Sequence, residues 1–286
     1  MLFADDTSIV IANANVQEYK HNVKITIQEI NDWFCSNSLT INYNNYSLLT
    51  IFYKKNKKEI PFQIITTNTV LTNMNSMIFL GLTIDSTMLW KEHIISLAIK
   101  INKASFTIRG IKPLLNLNAL KTIYYTYFHS VMSYGIIFWE TSHFATNIFR
   151  IQKRMIRTIT NRSKRDSCGL IFKQLQILTL PGQYVYSLLM FVNKSRECFY
   201  LILTFMVGIR VNLNLRLPTT NLKLVQKGVY HSAIKIFNHL PTEIKSLFED
   251  PKHFKIEVRS FLLDHTLYSL DDYYRLTPNE TYTNTS

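Results

Sequence analysis

The order of apolar and polar residues at the start of the chain predicts a β-hairpin followed by a long helix. Short apolar runs stand on either side of Asp5 and Asp6. Asp tolerates turn geometry, so this segment is predicted to form two strands joined by a tight turn. Asn13 or Asn15 is then available as the cap of a helix. The apolar face of that helix consists of residues that recur at helical spacing: Val16, Val23, Ile27, Ile30 and Phe34.

Strands are predicted after this helix. The helix should end at residues 36–38, and the apolar runs at 39–41 and 48–53 are typical of strands. A lysine-rich segment at 54–58 separates the second run from another at 60–65. We interpret that segment as the solvated loop of a hairpin, with phosphate contact as the less favoured alternative.

Residues 90–161 are predicted to form three helices. The first should end at Pro113. The second carries an aromatic-rich stripe, which is more typical of a core than of base stacking. The three apolar faces are Ile94, Leu97, Ala98, Ile101 and Ile108; Leu120, Ile123, Tyr124, Tyr127, Val131 and Tyr134; and Ile148, Ile151, Met155 and Ile159.

The third helix carries cations opposite its apolar face. They are Arg150, Lys153, Arg154 and Arg157, at offsets of three, four and seven residues. A solvated helix face usually carries charges of both signs, so a face with cations alone favours contact with a phosphate backbone. Such contacts position a duplex without reading its sequence. The alternative is an ordinary solvated surface.

The pattern is weaker beyond residue 161. Apolar positions at 178–192 predict a helix pair, and those at 227–240 predict another pair that stops at Pro241. The polar segment after Thr277 is predicted to be disordered. The histidines of this part are more typical of surface or hydrogen-bonded core positions than of metal ligands: His231, His239, His253 and His265.

Composition narrows the function classes. The chain has 286 residues, 47% of them hydrophobic, which is enough for one or two cores. A net charge of +13 indicates a polyanionic partner, for which nucleic acid is the commonest choice and a membrane surface the alternative. The apolar run at 198–209 is too short to span a bilayer, so no membrane partner is expected. Cys35, Cys168 and Cys198 lack metal-ligand spacing, which favours free thiols in a reducing, intracellular compartment.

Several segments resemble one family of enzymes. Phe3-Ala4-Asp5-Asp6 resembles the tyrosine/phenylalanine-x-Asp-Asp box of reverse transcriptases. Later segments are similar, in the same order, to those of non-LTR (LINE-type, jockey-like) retrotransposon polymerases. They are Asn31-Asp32-Trp33-Phe34 with Leu39-Thr40-Ile41-Asn42, Phe79-Leu80-Gly81-Leu82-Thr83-Ile84-Asp85, Leu89-Trp90-Lys91-Glu92-His93-Ile94, Ser130-Val131-Met132-Ser133-Tyr134-Gly135 and Ile151-Gln152-Lys153-Arg154-Met155-Ile156-Arg157. Such a series in one order is more specific than any single motif.

The resemblance implies an α+β fold in four regions. Residues 1–89 would form the C-terminal part of a polymerase palm, made of a β-hairpin, a helix and strands. Residues 90–161 would form a helical, thumb-like region, and residues 162–277 a mostly helical C-terminal region of unassigned role. Residues 278–286 would form a disordered tail.

The resemblance also implies roles for particular residues. Asp5 and Asp6 would be catalytic and would bind Mg²⁺ in a two-metal transfer of nucleotides. Phe79, Leu80 and Gly81 would form the turn that grips the primer. The partners would be an RNA template, a DNA primer and deoxynucleotides, as for any RNA-directed DNA polymerase.

Two departures from the family pattern bear on activity. The family places a lysine shortly after the Leu-x-Leu-Asn segment, and here that position is Asn45, whose amide cannot deliver a proton. The family also carries another catalytic Asp before the Asp-Asp box, and this chain begins at the box. It is therefore expected to be a C-terminal fragment without activity of its own. The alternatives are a non-catalytic nucleic-acid-binding remnant and a pseudogene product.

Nucleotide incorporation tests this expectation. We expect the purified chain to add no deoxynucleotide to a primed RNA template with Mg²⁺, because carboxylates from a single segment cannot hold both metal ions in line. The measurement is primer extension on a denaturing gel. Synthesis that disappears in Asp5→Asn would contradict the expectation.

Overall fold

The computed structural model of the chain is mostly helical with a few short strands, which confirms the predicted α+β class. It describes residues 2–3, 6–40, 48–51, 63–65, 70–163, 165–203 and 214–276. The chain divides into two compact units, Met1–Met88 and Leu89–Ser286.

The strands belong to the first unit, and they form three small sheets. Their bounds are β1 Leu2–Phe3, β2 Asp6–Thr7, β3 Leu48–Leu49, β4 Gln63–Ile65, β5 Val70–Met74, β6 Ser76–Phe79 and β7 Leu82–Asp85. β1 and β2 pair antiparallel, and β6 and β7 form an antiparallel hairpin. β5 pairs with β3 in parallel and with β4 in antiparallel orientation.

The strand pairing predicted around the lysine segment is wrong. A hairpin with its loop at 54–58 would place β3 beside β4, whereas β5 lies between them. Only a short connection separates β4 from β5, and consecutive strands with short connections pair preferentially. The lysine segment lies outside the described residues. In the strand predicted at 39–41, residues 39 and 40 are irregular. Residue 41 also lies outside the described residues.

The helix predicted in the first unit is confirmed as α1, Val16–Ser36. Its cap is Asn15, whose side-chain oxygen accepts a 2.9 Å hydrogen bond from the backbone N–H of Gln17. The helix ends where predicted, before Ser38 at a φ of 56°. Val23 is buried on its apolar face, and the residues packed against it come from α1, β3 and the segment before α1: Ile11, Tyr19, Ile27 and Leu48.

The described part of the second unit is helical. Its helices are α2 Lys91–Ile111, α3 Leu117–Ile123, α4 Ser130–Ser133, α5 Ile136–Trp139, α6 Ala145–Ile159, α7 Gly169–Leu175, α8 Leu180–Lys194, α9 Arg196–Leu203, α10 Lys223–Gln226, α11 Val229–His239, α12 Thr242–Ser246, α13 Pro251–His265 and α14 Leu270–Arg275. The helices predicted over 90–161 are thus confirmed, with Pro113 in a 3₁₀ turn directly after α2. Helix is also present at 178–192 and 227–240, but the pairs predicted there are wrong, because each segment forms one helix, α8 or α11.

The aromatic-rich segment differs from a regular helix. Between α3 and α4 the chain forms a π-helical turn, Tyr124–His129. Tyr124 and Phe128 are fully buried, as the core interpretation predicts, but Tyr127 and Tyr134 are 66% and 54% exposed. The wider turn changes the angular spacing of side chains, so a stripe counted at 3.6 residues per turn does not remain on one side.

Helix α8 lies at the centre of the second unit. It contacts α5, α6, α11 and α13, and most of its residues are buried. Its N-terminus is capped by Thr179, whose hydroxyl oxygen accepts a 3.2 Å hydrogen bond from the backbone N–H of Gly182. Pro181 occupies the first turn, where its missing N–H has no cost.

A partly buried carboxyl group makes the stability of this unit depend on pH. Burial raises the pKa of Glu140, directly after α5, to about 7 from 4.5. The folded chain therefore holds this proton more tightly than the unfolded chain does. The contribution of this group to the free energy of unfolding is largest below pH 4.5, and it falls as the pH rises through 7.

Replacing this carboxyl group tests the effect. Glu140→Gln cannot ionise, so we expect the variant to exceed the wild type in free energy of unfolding by about 2–3 kcal/mol at about pH 8, and by much less at about pH 4. Thermal or urea unfolding at the two pH values measures the difference. If the two proteins differ in free energy of unfolding by the same amount at both pH values, the Glu140 carboxyl group does not have a raised pKa in the folded chain.

Candidate nucleic-acid interface

Helix α6 has one buried and one outward side. Its predicted apolar face is confirmed, because every member is at most 7% exposed: Ile148, Ile151, Met155 and Ile159. The four predicted cations lie on the opposite side. Arg150 and Arg154 are exposed, whereas Lys153 and Arg157 are half-buried.

The buried amide of Gln152 sets this orientation. Its Nε2 donates to the hydroxyl of Tyr124 at 3.0 Å and to the backbone carbonyl of Leu178 at 2.9 Å. Its Oε1 accepts from the backbone N–H of Leu180 at 2.8 Å. Gln152 thus connects α6 to the π-helical turn and to the start of α8. Rotation of α6 would break these bonds inside the core, so the cationic side stays outward.

Arg150 and Arg154 form the freely presented part of the cationic side. Arg150 makes one local hydrogen bond, from its Nη1 to the Oδ1 of Asn147 at 3.2 Å. These two residues stand one helical turn apart, so their guanidinium groups are neighbours on the surface. Guanidinium groups bind phosphate oxygens well, because their N–H groups match the geometry of the anion.

Lys153 and Arg157 contact other parts of the second unit. The Nζ of Lys153 lies 4.5 Å from the ring centre of Phe149 and 5.6 Å from that of Tyr268. The Nε and Nη2 of Arg157 donate to the backbone carbonyl of Asp166 at 3.0 and 2.9 Å. The predicted cationic face therefore has two parts, one outward and one that also holds α6 to its neighbours. Sequence periodicity could not reveal Tyr268 or Asp166 as partners, because they lie outside the helix.

The positive charge of α6 is not neutralised by ion pairs with described carboxylates. The ion pairs in the described ranges join Lys173 to Asp264, Arg196 to Glu249 and His253 to Asp250. The α6 sequence itself contains no acidic residue. An outward surface with several unpaired cations attracts polyanions, and the attraction falls as salt is added.

The histidines and cysteines do not gather into a site in the described part of the chain, where no three His, Cys, Asp or Glu side chains could hold a metal ion together. Three histidines each bond to a backbone carbonyl: His231 to Pro218, His239 to Leu276 and His265 to Phe261. Cys168 is buried, which raises the pKa of its thiol, and Cys35 and Cys198 are exposed.

The hairpin predicted around the two N-terminal aspartates is present as a pair of strands. Phe3 of β1 lies opposite Asp6 of β2. Asp6 is therefore placed on the second strand, next to the two-residue connection. Asp5 lies outside the described residues, and so does the side chain of Asp6. Their catalytic and Mg²⁺-binding roles thus stay predictions.

The predicted primer-grip residues form a tight turn. Phe79 ends β6 and pairs with Leu82 at the start of β7. Leu80 and Gly81 connect the two strands, with φ values of 46° and 78°. Two positive φ values in a two-residue connection are typical of a type I′ turn. Gly81 adopts this geometry freely, whereas Leu80 is strained by about 1 kcal/mol. The turn is confirmed, and its contact with a primer stays a prediction.

Comparisons with protein-family models, with curated proteins and with solved structures find no match to this chain. Within the described ranges, no single helix is both long and apolar enough to cross a membrane. Helices α7 and α8, bent by 49° at the break between them, meet that criterion of length and composition only as a pair.

Proposed function

We propose that this chain binds the phosphate backbone of nucleic acid through the outward side of α6, as part of an RNA-directed DNA polymerase of the non-LTR retrotransposon class. The observation that carries the proposal is the cationic side of α6, where Arg150 and Arg154 are exposed and no cation pairs with a described carboxylate. Contacts of this kind hold a duplex in place independently of its sequence.

The fixed orientation of α6 supports the proposal. Gln152 and the apolar face hold the helix, so its cations are presented without a large loss of backbone freedom on binding. The net charge of +13 adds a long-range attraction for polyanions. Neither contribution requires catalysis, so a non-catalytic nucleic-acid-binding protein would bind in the same way.

The order of segments supports the polymerase class. The hairpin with Asp6 comes first, α1 and the short strands follow, and the turn at Leu80 and Gly81 precedes the helices. Palm is the proposed identity of the first unit, and thumb is that of residues 90–161 in the second unit. Asp5 and Asp6 are the proposed ligands of Mg²⁺, and RNA template with DNA primer is the proposed substrate.

The salt dependence of duplex binding tests the role of α6. Each cation that contacts a phosphate contributes about 0.9 to the slope of log affinity against log salt concentration. We expect the double variant R150Q/R154Q to lower the magnitude of this slope by about 1.8. Helicity should not change, because Gln is a good helix former and both residues are exposed. Fluorescence anisotropy of a labelled duplex over a salt series measures the slope.

A charge-matched variant on another helix provides the control. Lys252 and Lys255 are exposed on α13, and K252Q/K255Q removes the same amount of positive charge. Its slope should equal that of the wild type. Equal slopes for all three proteins, or equal losses for both variants, would show that α6 has no special role in binding.

A further inference from the structure

The C-terminal end of α6 leads to a cavity that the sequence does not reveal. The cavity has a volume of about 400 Å³ and lies between the segment after α2, the end of α6 and α7. Small-ligand sites in proteins commonly have volumes of about 300–1,000 Å³. A single nucleotide is a ligand of the size that such a cavity accepts.

A rigid turn places one wall of the cavity. Asn161 follows α6 with a φ of 59°, a geometry that Asn tolerates better than most residues do. The backbone N–H of Asn161 donates to the carbonyl of Thr158, and that of Arg162 donates to the carbonyl of Arg157 at 3.0 Å. These two bonds form the Schellman motif that terminates helices. Asn161 and Arg162 are thereby fixed at the end of the cationic helix.

Two cations line the cavity. Lys112 comes from the 3₁₀ turn after α2, and Arg162 comes from the end of α6. Neither forms an ion pair with a carboxylate in the described ranges. Two cations on the wall of one cavity, with no carboxylate in its lining, are suited to a phosphate group.

The rest of the lining complements a nucleobase. Leu115 and Leu117 contribute accessible apolar surface, against which the flat face of a base can pack, and the buried Leu120 and Ile159 lie behind them. Asn161 and Gln174 contribute side-chain amides, which offer both donors and acceptors to the edge of a base. Neither side-chain amide hydrogen-bonds to another group within the described part of the chain.

We propose that this cavity binds one unpaired nucleotide of a nucleic acid whose backbone lies along α6. The inference rests on the proposed function, because the outward cations of α6, Arg150 and Arg154, would hold the nucleic acid whose unpaired nucleotide enters the cavity. The phosphate lies between Lys112 and Arg162, the base packs on the leucines, and the amides contact its edge. Free nucleotide monophosphate has the same chemistry and binds there more weakly, since it lacks the α6 contacts.

Duplexes with and without an unpaired nucleotide test the proposal. We expect the wild type to bind a duplex with a one-nucleotide overhang about tenfold more tightly than the blunt duplex, since burial of one apolar base face contributes about this much. K112Q/R162Q should lose this preference but retain binding of the blunt duplex. Anisotropy titrations at one salt concentration measure both affinities. K100Q/K103Q, on exposed positions of α2, is the charge-matched control and should keep the preference.

The outcomes separate this inference from the proposed function. The wild type could bind both duplexes equally well while R150Q/R154Q still lowers the salt-dependence slope of duplex binding. That result would overturn the cavity proposal alone. Absence of any duplex binding would overturn the proposed function. In that case, an NMR titration with adenosine monophosphate tests the cavity by itself. Chemical-shift changes at residues 159–162 that K112Q/R162Q abolishes would support the cavity proposal. Absence of such changes in the wild type would overturn it.

Discussion

The hydrogen bonds of the buried Gln152 amide hold the second unit in its arrangement. They join α6 to the π-helical turn and to the start of α8. Because Gln152 is fully buried, each partner left without its hydrogen bond would lower the free energy of unfolding by about 1–3 kcal/mol. Hydrophobic packing alone allows a helix to rotate by small amounts, but three directional bonds allow one orientation. The side of α6 that faces outward is therefore determined in the core.

This constraint connects the core to the proposed interface. With α6 fixed, Arg150 and Arg154 are presented outward, while Lys153 and Arg157 contact Tyr268 and the carbonyl of Asp166. The same fixed helix ends in the turn that carries Arg162. The two proposed binding features, a cationic surface and a cavity, thus both depend on the placement of α6.

The sequence predicted the helices better than the strand pairing or the site. Apolar residues at helical spacing define α1 and α6, because a helix buries a stripe that local spacing reveals. Strand pairing depends on distant segments, so the position of β5 between β3 and β4 could not be derived from local pattern. The four cations of α6 were predicted on one side, but their separation into outward and contacting pairs depends on Tyr268 and Asp166. Likewise, only the fold brings Lys112 close to Arg162.

Site-specific photocrosslinking shows whether the outward side of α6 lies against nucleic acid. A photoreactive p-benzoylphenylalanine replaces Arg154 on the outward side of α6 or, as a reference, Ile256, which is 60% exposed on α13. We expect position 154 to crosslink to a labelled duplex upon irradiation, added salt to suppress this crosslink, and position 256 to give none. Crosslinking at position 256 alone, or with equal yield at both positions, would show that α6 is not the surface that contacts the duplex.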